Sequence, residues 1–397
     1  MFPTLGHLFN AIFGTNIVFP LPTYGFLLAC AFLTGYLIIR VELRRKWRQG
    51  LIPAIPEKVV KGKGAATGDI AAYGFFGFLA GWKIIGIILN YSLFVQDVQG
   101  YVFSLEGSIF GGLVTGGLSA WWFARVQNRQ KLPEPVEEDE MVAPQKHAAA
   151  ILLVAAIAGI VGAKIFHQLE NFQEFLSDPI GNLFSAGGLT FYGGLIFGVV
   201  AVLWYIRKKK IPWLQMMDVA APAVILAYGI GRLGCMASGD GCWGVPNLNP
   251  KPEWLAFLPD WMWSFNFPHN VINEGVPMEN CAGHYCYVLE VPVWPTPFYE
   301  SMVSILFFFI LWGLRKILKA PGILFAIFFI MNGVERFFVE RIRVNNKFEL
   351  GNITYTQAEL IAVILVILGI AGIFVFRRMY RKSTEKISAE TSENNAA

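Results

Sequence analysis

Tyr24-Gly25-Phe26-Leu27-Leu28-Ala29-Cys30-Ala31-Phe32-Leu33-Thr34-Gly35-Tyr36-Leu37-Ile38-Ile39 contains no charge, and it runs directly into Arg40, Arg44, Arg45 and Lys46. An apolar run closed by a basic cluster is what a hydrocarbon core of about 30 Å selects for in a spanning helix. Similar runs recur along the 397 residues, which are 55% hydrophobic, 15% charged and of mean hydropathy +0.50, too apolar for an ordinary soluble chain. The pattern predicts an all-α polytopic membrane protein with about nine transmembrane helices, near 22–42, 70–94, 107–126, 147–169, 187–206, 216–237, 298–315, 321–342 and 355–376. Met1 to Phe19 lacks a basic n-region, so no cleavable signal peptide is expected and the first run should be a retained helix. A net charge of +4, unevenly placed, points to no nucleic acid and no acidic protein partner.

The basic residues set the sidedness. Arg44, Arg45, Lys46, Arg48, Lys58, Lys61 and Lys63 crowd the first connection, Arg125, Arg129, Lys131 and Lys146 the third, and Arg207 to Lys210 the fifth. Arg315, Lys316 and Lys319 follow on the same side, as do Arg377, Arg378, Arg381 and Lys382, whereas 96–106 and 168–186 hold no Lys or Arg. The N-terminus is therefore expected outside and the C-terminus inside. Residues 1–376 read as one integral membrane domain with a cytoplasmic tail at 377–397, and the acidic 127–146 segment as a solvated connector.

The long connection 238–297 has Lys251 as its one base and is rich in Trp and Pro, so an ordered extracytoplasmic cap is expected. Trp254, Trp261, Trp263 and Trp294 suit either the headgroup layer or loop packing. Cys281 and Cys286 are disulfide candidates with Cys242 or Cys235 as competitors, and four cysteines permit three complete pairings.

Gly81-Trp82-Lys83 followed by Ser108-Ile109-Phe110-Gly111-Gly112-Leu113 recurs as Gly162-Ala163-Lys164 followed by Thr190-Phe191-Tyr192-Gly193-Gly194-Leu195. The second and third spans (70–126) thus resemble a copy of the fourth and fifth, although small residues are common at membrane helix contacts in any case.

Charges within spans cost roughly 2.5–3.5 kcal/mol on insertion scales and so require a partner, a cavity or a task. Arg232 lies in Gly229-Ile230-Gly231-Arg232-Leu233-Gly234-Cys235, and Arg336, Glu340 and Arg343 fall at i, i+4 and i+7, one stripe of a helix. By the orientation above, both helices carry these groups toward the outside. They could tie helices together, but two arginine helices converging on one leaflet also suit a phospholipid phosphate, which a guanidinium grips bidentately. Lys83 and Lys164, near helix ends, can snorkel to water.

At this point several motifs coincide. Gly231-Arg232-Leu233-Gly234 leading into Ser238-Gly239-Asp240-Gly241-Cys242-Trp243-Gly244 resembles the signature of prolipoprotein diacylglyceryl transferases. Pro22-Thr23-Tyr24-Gly25, Thr190 to Leu195, Pro295-Thr296-Pro297-Phe298-Tyr299-Glu300, Arg336 to Arg343 and Tyr355-Thr356-Gln357 follow that family's order. The extra helix pair departs from its seven-helix plan.

The resemblance implies transfer of the diacylglyceryl group of phosphatidylglycerol to the lipobox cysteine thiol of preprolipoprotein signal peptides, releasing glycerol 1-phosphate, in the bacterial cytoplasmic (inner) membrane among membrane lipids. It implies no metal and no cofactor. A thiolate must form and a leaving phosphate must be stabilised. By the resemblance Arg232 and Arg336 bind the phosphate, Tyr24, Gly193, Gly194, Gly234, Asp240, Tyr299, Glu300 and Arg343 line the substrate, and Arg336, Glu340 and Tyr192 are catalytic. Tyr192 stands where some members have His, Cys235 where many have Asn, and Pro295 to Glu300 replaces a His-Pro-Ser-Gln-Leu-Tyr-Glu pattern. The reading adopted is that Tyr192 orients substrate while Glu340 with Arg336 handles the proton. A phospholipid transporter or flippase, with functional charges near the midplane and on both faces, and a catalytically silent lipid- or peptide-binding relative are the competing classes.

Overall fold

In the computed structural model, residues 1–396 are described except 97, 185–187, 282, 346 and 351–352. Positions 185–187, where the predicted fourth loop meets the fifth span, and the last residue of the predicted tail lie outside the described residues.

A long helix stands at each of the nine predicted positions: α1 (Thr23–Arg48), α2 (Thr67–Leu89), α3 (Ile109–Arg129), α4 (Ala148–Glu170), α5 (Phe191–Lys208), α6 (Trp213–Ser238), α7 (Thr296–Leu314), α8 (Ile323–Glu340) and α9 (Gln357–Ala396). Among the described residues seven helices are long and apolar enough to cross a membrane, namely all but α3 and α8. Helix α8 is set apart by Glu335, Arg336 and Glu340 within its 18 residues. The predicted tail continues α9 as helix to Ala396.

The chain forms two compact units. One comprises 4–21 and 56–142. Here α2 and α3 lie together at glycines: a Cβ on Gly116 would come within 2.8 Å of the Gly74 carbonyl oxygen, and one on Gly112 within 2.7 Å of the Phe78 ring. Lys83 donates to the carbonyls of Tyr101, Ser104 and Glu106 at 2.8, 2.6 and 2.8 Å, so its charge closes a helix-end turn. The segment predicted as an acidic connector forms a strand, β2 (Val136–Val142), paired with β1 (Ile55–Lys61), because β-branched residues and Lys61 supply a partner edge. Lys61 reaches Glu138 at 2.5 Å across that ladder.

The other unit comprises 1–3, 22–55 and 143–397. Helix α6 is its most buried span and packs against α1, α7 and α8. Glycine sets how closely: a Cβ on Gly229 would lie 3.1 Å from Ser304 Cβ and 3.3 Å from the Ser301 carbonyl, so α6 and α7 nearly touch just before Arg232. Helices α4 and α5 are joined in the same way, since a Cβ on Gly193 would meet the Gly162 carbonyl at 2.4 Å. Among the described residues, one apolar cluster centres on Leu43, Ile206 and Val219, and another on Ile225, Leu311 and Leu324.

At the basic end of α1 the buried charges are paired. Glu42, fully buried, accepts from Arg45 Nε at 2.9 Å and from Arg315 Nε at 2.6 Å. Asp218 lies 3.6 Å from Lys46 and accepts from the backbone N–H of Gly322 (2.9 Å) and Phe325 (3.1 Å), satisfying donors that the start of α8 leaves free.

Between α6 and α7, the described residues of 239–295 form an irregular segment around Trp243, Phe267, Leu289 and Val293. Trp263 packs on Trp294 at 4.7 Å, whereas Trp254 is 75% exposed, so the predicted interfacial set divides between packing and surface. Cys281 and Cys286 are joined as a disulfide, while Cys30, Cys235 and Cys242 are free.

Candidate functional site

The site begins with the α6–α7 approach at Gly229. One turn further on, Arg232 emerges opposite Glu300, whose side chain is entirely buried, and its Nε pairs with Glu300 Oε2. The Tyr228 hydroxyl lies 3.2 Å from both groups, one helical turn before Arg232. Arg343 donates from Nη1 to Glu300 Oε1 at 3.0 Å, and Arg336 Nη1 stands 3.6 Å from the same oxygen. Arg336 Nη2 is 3.1 Å from Glu340 Oε2, and Asn345 donates to Glu340 Oε1. Three guanidiniums from α6, α8 and the segment after α8 therefore converge on two carboxylates. A buried carboxylate tolerates this only as a multiply paired group.

Donors remain over. A guanidinium has five N–H groups, of which the two carboxylates take only some. Arg343 Nε is buried without a hydrogen-bond partner among the described residues. The Arg336 side chain retains 29% exposure, so the group opens to its surroundings there.

Beside this group, α6 ends at Gly239 (φ 67°), and Gly241 (φ 86°) turns the chain back. Arg232 Nη1 lies 3.8 Å from Cys235 Sγ, and the Cys242 N–H donates to Asp240 Oδ1 at 3.3 Å. A hydrogen bond with Cys235 holds the Cys242 thiol below its ordinary range, against the burial that pushes it up. Tyr24 on α1 lies against the end of α6: a Cβ on Gly234 would come within 3.1 Å of its ring.

The residues expected to act together divide into those the fold gathers and those it uses elsewhere. Arg232, Arg336, Glu340, Arg343 and Glu300 form the cluster, with Tyr24, Gly234 and Asp240 alongside it. Tyr299 donates to the Met262 carbonyl at 2.5 Å and so anchors the irregular segment. Gly193 packs α5 on α4; Gly194 does so more loosely and borders a hollow of about 370 Å³ with Ala163, Thr190 and Phe191. Tyr192 stacks edge-on with Phe191 at 5.7 Å, and among the described residues no hydrogen bond or ion pair joins it to the arginines.

Two members went unread in the sequence. Tyr228 was legible in principle, standing four residues before Arg232 on one helix face. Glu335 is 7% exposed, within electrostatic reach of Glu300 and all three arginines, and its Oε1 is buried without a partner among the described residues. Its position beside Arg336 was the available signal.

Apolar helices that enclose a cluster of arginines held by buried carboxylates define a polytopic membrane protein. The profile of the prolipoprotein diacylglyceryl transferases matches residues 134–375, more than half of the chain, and the chain belongs to that family. Helices α1 to α3, Tyr24 among them, precede the matched residues. A Leptospira interrogans protein called phosphatidylglycerol–prolipoprotein diacylglyceryl transferase is 30% identical over 225 residues, 50% of this chain and 63% of its own. One of the same name from Clostridium botulinum strain 657 is 30% identical over 226 residues, 56% of this chain and 79% of its own. The chain thus spans just under two thirds of the length of the Leptospira relative.

Proposed function

We propose that this protein transfers the diacylglyceryl group of phosphatidylglycerol to the cysteine thiol of a preprolipoprotein signal peptide, with glycerol 1-phosphate as the leaving product. The observation that carries the reading is the shared grip of Arg232, Arg336 and Arg343 on Glu300. Glu300 and Glu340 hold the guanidiniums in place before substrate arrives, so the spare N–H donors meet a phosphate without further reorganisation. The acceptor sulfur attacks the glycerol carbon, the carbon–oxygen bond to phosphate breaks, and the arginines take up the charge left on that oxygen. Glu340, buried and paired with the partly exposed Arg336, is the candidate to receive the thiol proton.

The membrane placement belongs to the same reading. Nine spans, with the N-terminus and the 239–295 segment outside and the protein in the cytoplasmic membrane of a bacterium, put the arginines near the outer leaflet. The disulfide Cys281–Cys286 fits an oxidising exterior. Helices α2 and α3 are read as a duplicated pair. A flippase would need exchangeable charges at both ends, whereas at the opposite end both carboxylates of the Glu42–Asp218 group are taken up by bases and backbone N–H groups.

Purified protein incubated with phosphatidylglycerol and a lipobox peptide tests the proposal. Thiol-linked diacylglyceryl peptide is expected, and it should disappear in Arg232→Ala and Arg336→Ala. Headgroup scrambling in vesicles without any lipidated peptide would replace this reading by transport.

A further inference from the structure

We propose that Cys235, Asp240 and Cys242 constitute a binding site for a thiophilic divalent cation, with Zn²⁺ as the best match. One ligand atom from each of the three lies within 4.8 Å of the other two. Around tetrahedral zinc, with Zn–S of about 2.3 Å, two sulfurs stand about 3.8 Å apart, so closing the cluster on a cation requires only side-chain adjustment. The backbone already holds the donors in place. Cys235 is on the last turn of α6, Asp240 and Cys242 follow the turn at Gly239 and Gly241, and Thr296 Oγ1 donates to the Cys242 carbonyl at 2.9 Å.

The donor set selects the metal class. Two sulfurs exclude Mg²⁺ and Ca²⁺, which take oxygen, and favour zinc-like ions. Both thiols are available, because the disulfide is made by Cys281 and Cys286. Two thiolates and one carboxylate around a doubly charged cation leave one net negative charge, and the Arg232 guanidinium stands 3.8 Å from Cys235 Sγ to offset it. With three protein ligands, a tetrahedral ion keeps a fourth position for water or an added sulfur ligand. Asp240 and Cys242 are only half-buried, which leaves that position reachable. The assignment is independent of the lipid-transfer reading, since it concerns metal binding alone.

The experiment uses the full chain in detergent, without a polyhistidine tag, equilibrated against buffered Zn²⁺ and in parallel against Co²⁺. One equivalent of zinc per chain is expected, together with thiolate-to-cobalt charge-transfer absorption. Both should be lost in Cys235→Ser and Cys242→Ser and be unchanged in Cys30→Ser. Asp240→Asn, a half-buried loop change, should weaken zinc binding by at least about tenfold with an unaltered unfolding temperature, which separates ligand loss from misfolding. Equal zinc content in the wild type and the Cys235→Ser/Cys242→Ser double variant overturns the assignment. So does a Cys235–Cys242 disulfide in the freshly purified protein.

Discussion

Arg343 donates from Nη1 to Oε1 of Glu300 at 3.0 Å, and the backbone of Arg343 is itself bridged to Gly244. Glu300 is therefore the common counter-ion of three guanidiniums, one of them fixed to the irregular segment. Replacing it with Gln leaves Arg232 and Arg343 without their buried carboxylate and Arg336 with Glu340 alone. Glu300→Gln should cost about 3–5 kcal/mol of stability and abolish transfer, read as a lowered unfolding temperature alongside a lipidation assay. An unchanged unfolding temperature would show that Glu300 is not what holds the three arginines in the folded protein.

Arg336 spans two carboxylates, 3.6 Å from Glu300 and 3.1 Å from Glu340, which a lysine ammonium cannot reproduce. Arg336→Lys should keep the fold and lower kcat by about 10²–10³ with a small change in KM, the pattern of a lost transition-state contact. Steady-state kinetics with a lipobox peptide decides it.

Glu340 and Tyr192 separate by experiment. Glu340→Gln should remove turnover, whereas Tyr192→Phe, whose ring contacts Phe191, should retain most of it. The reverse result, activity surviving in Glu340→Gln and vanishing in Tyr192→Phe, would exchange the two roles.

Gly193→Ala places a Cβ 2.4 Å from the Gly162 carbonyl and should destabilise the protein by about 1–3 kcal/mol through forced helix separation. Gly117→Ala, with nothing within 4 Å, should be neutral or stabilise by about 0.5–1 kcal/mol. Thermal unfolding of the two variants side by side gives the comparison.

Helix positions were legible because apolar length is the signal a bilayer imposes, and Arg232, Arg336 and Glu340 because a charge inside such a run stands out. What the pattern could not supply was pairing across distant sequence. Glu300 read as one polar residue among several until Gly229, Ser301 and Ser304 brought α6 and α7 together around it. Gly193 and Gly194 read as places for substrate to approach, yet close approach of a neighbouring helix asks for the same residue. The pairing of 136–142 with 55–61 was hidden for a different reason: an acidic stretch carries no apolar alternation to mark it as a strand.

Helix α6 bears Asp218 near one end and Arg232 near the other, fourteen residues or about 21 Å apart. The first caps the start of α8, and the second shares Glu300 with an arginine near the end of α8. The two helices are thus bolted at top and bottom, like the rails of a ladder with a rung at each extremity. Sliding one along the other would rupture both fastenings simultaneously. Whatever admits a ligand to the arginines must yield somewhere other than this frame.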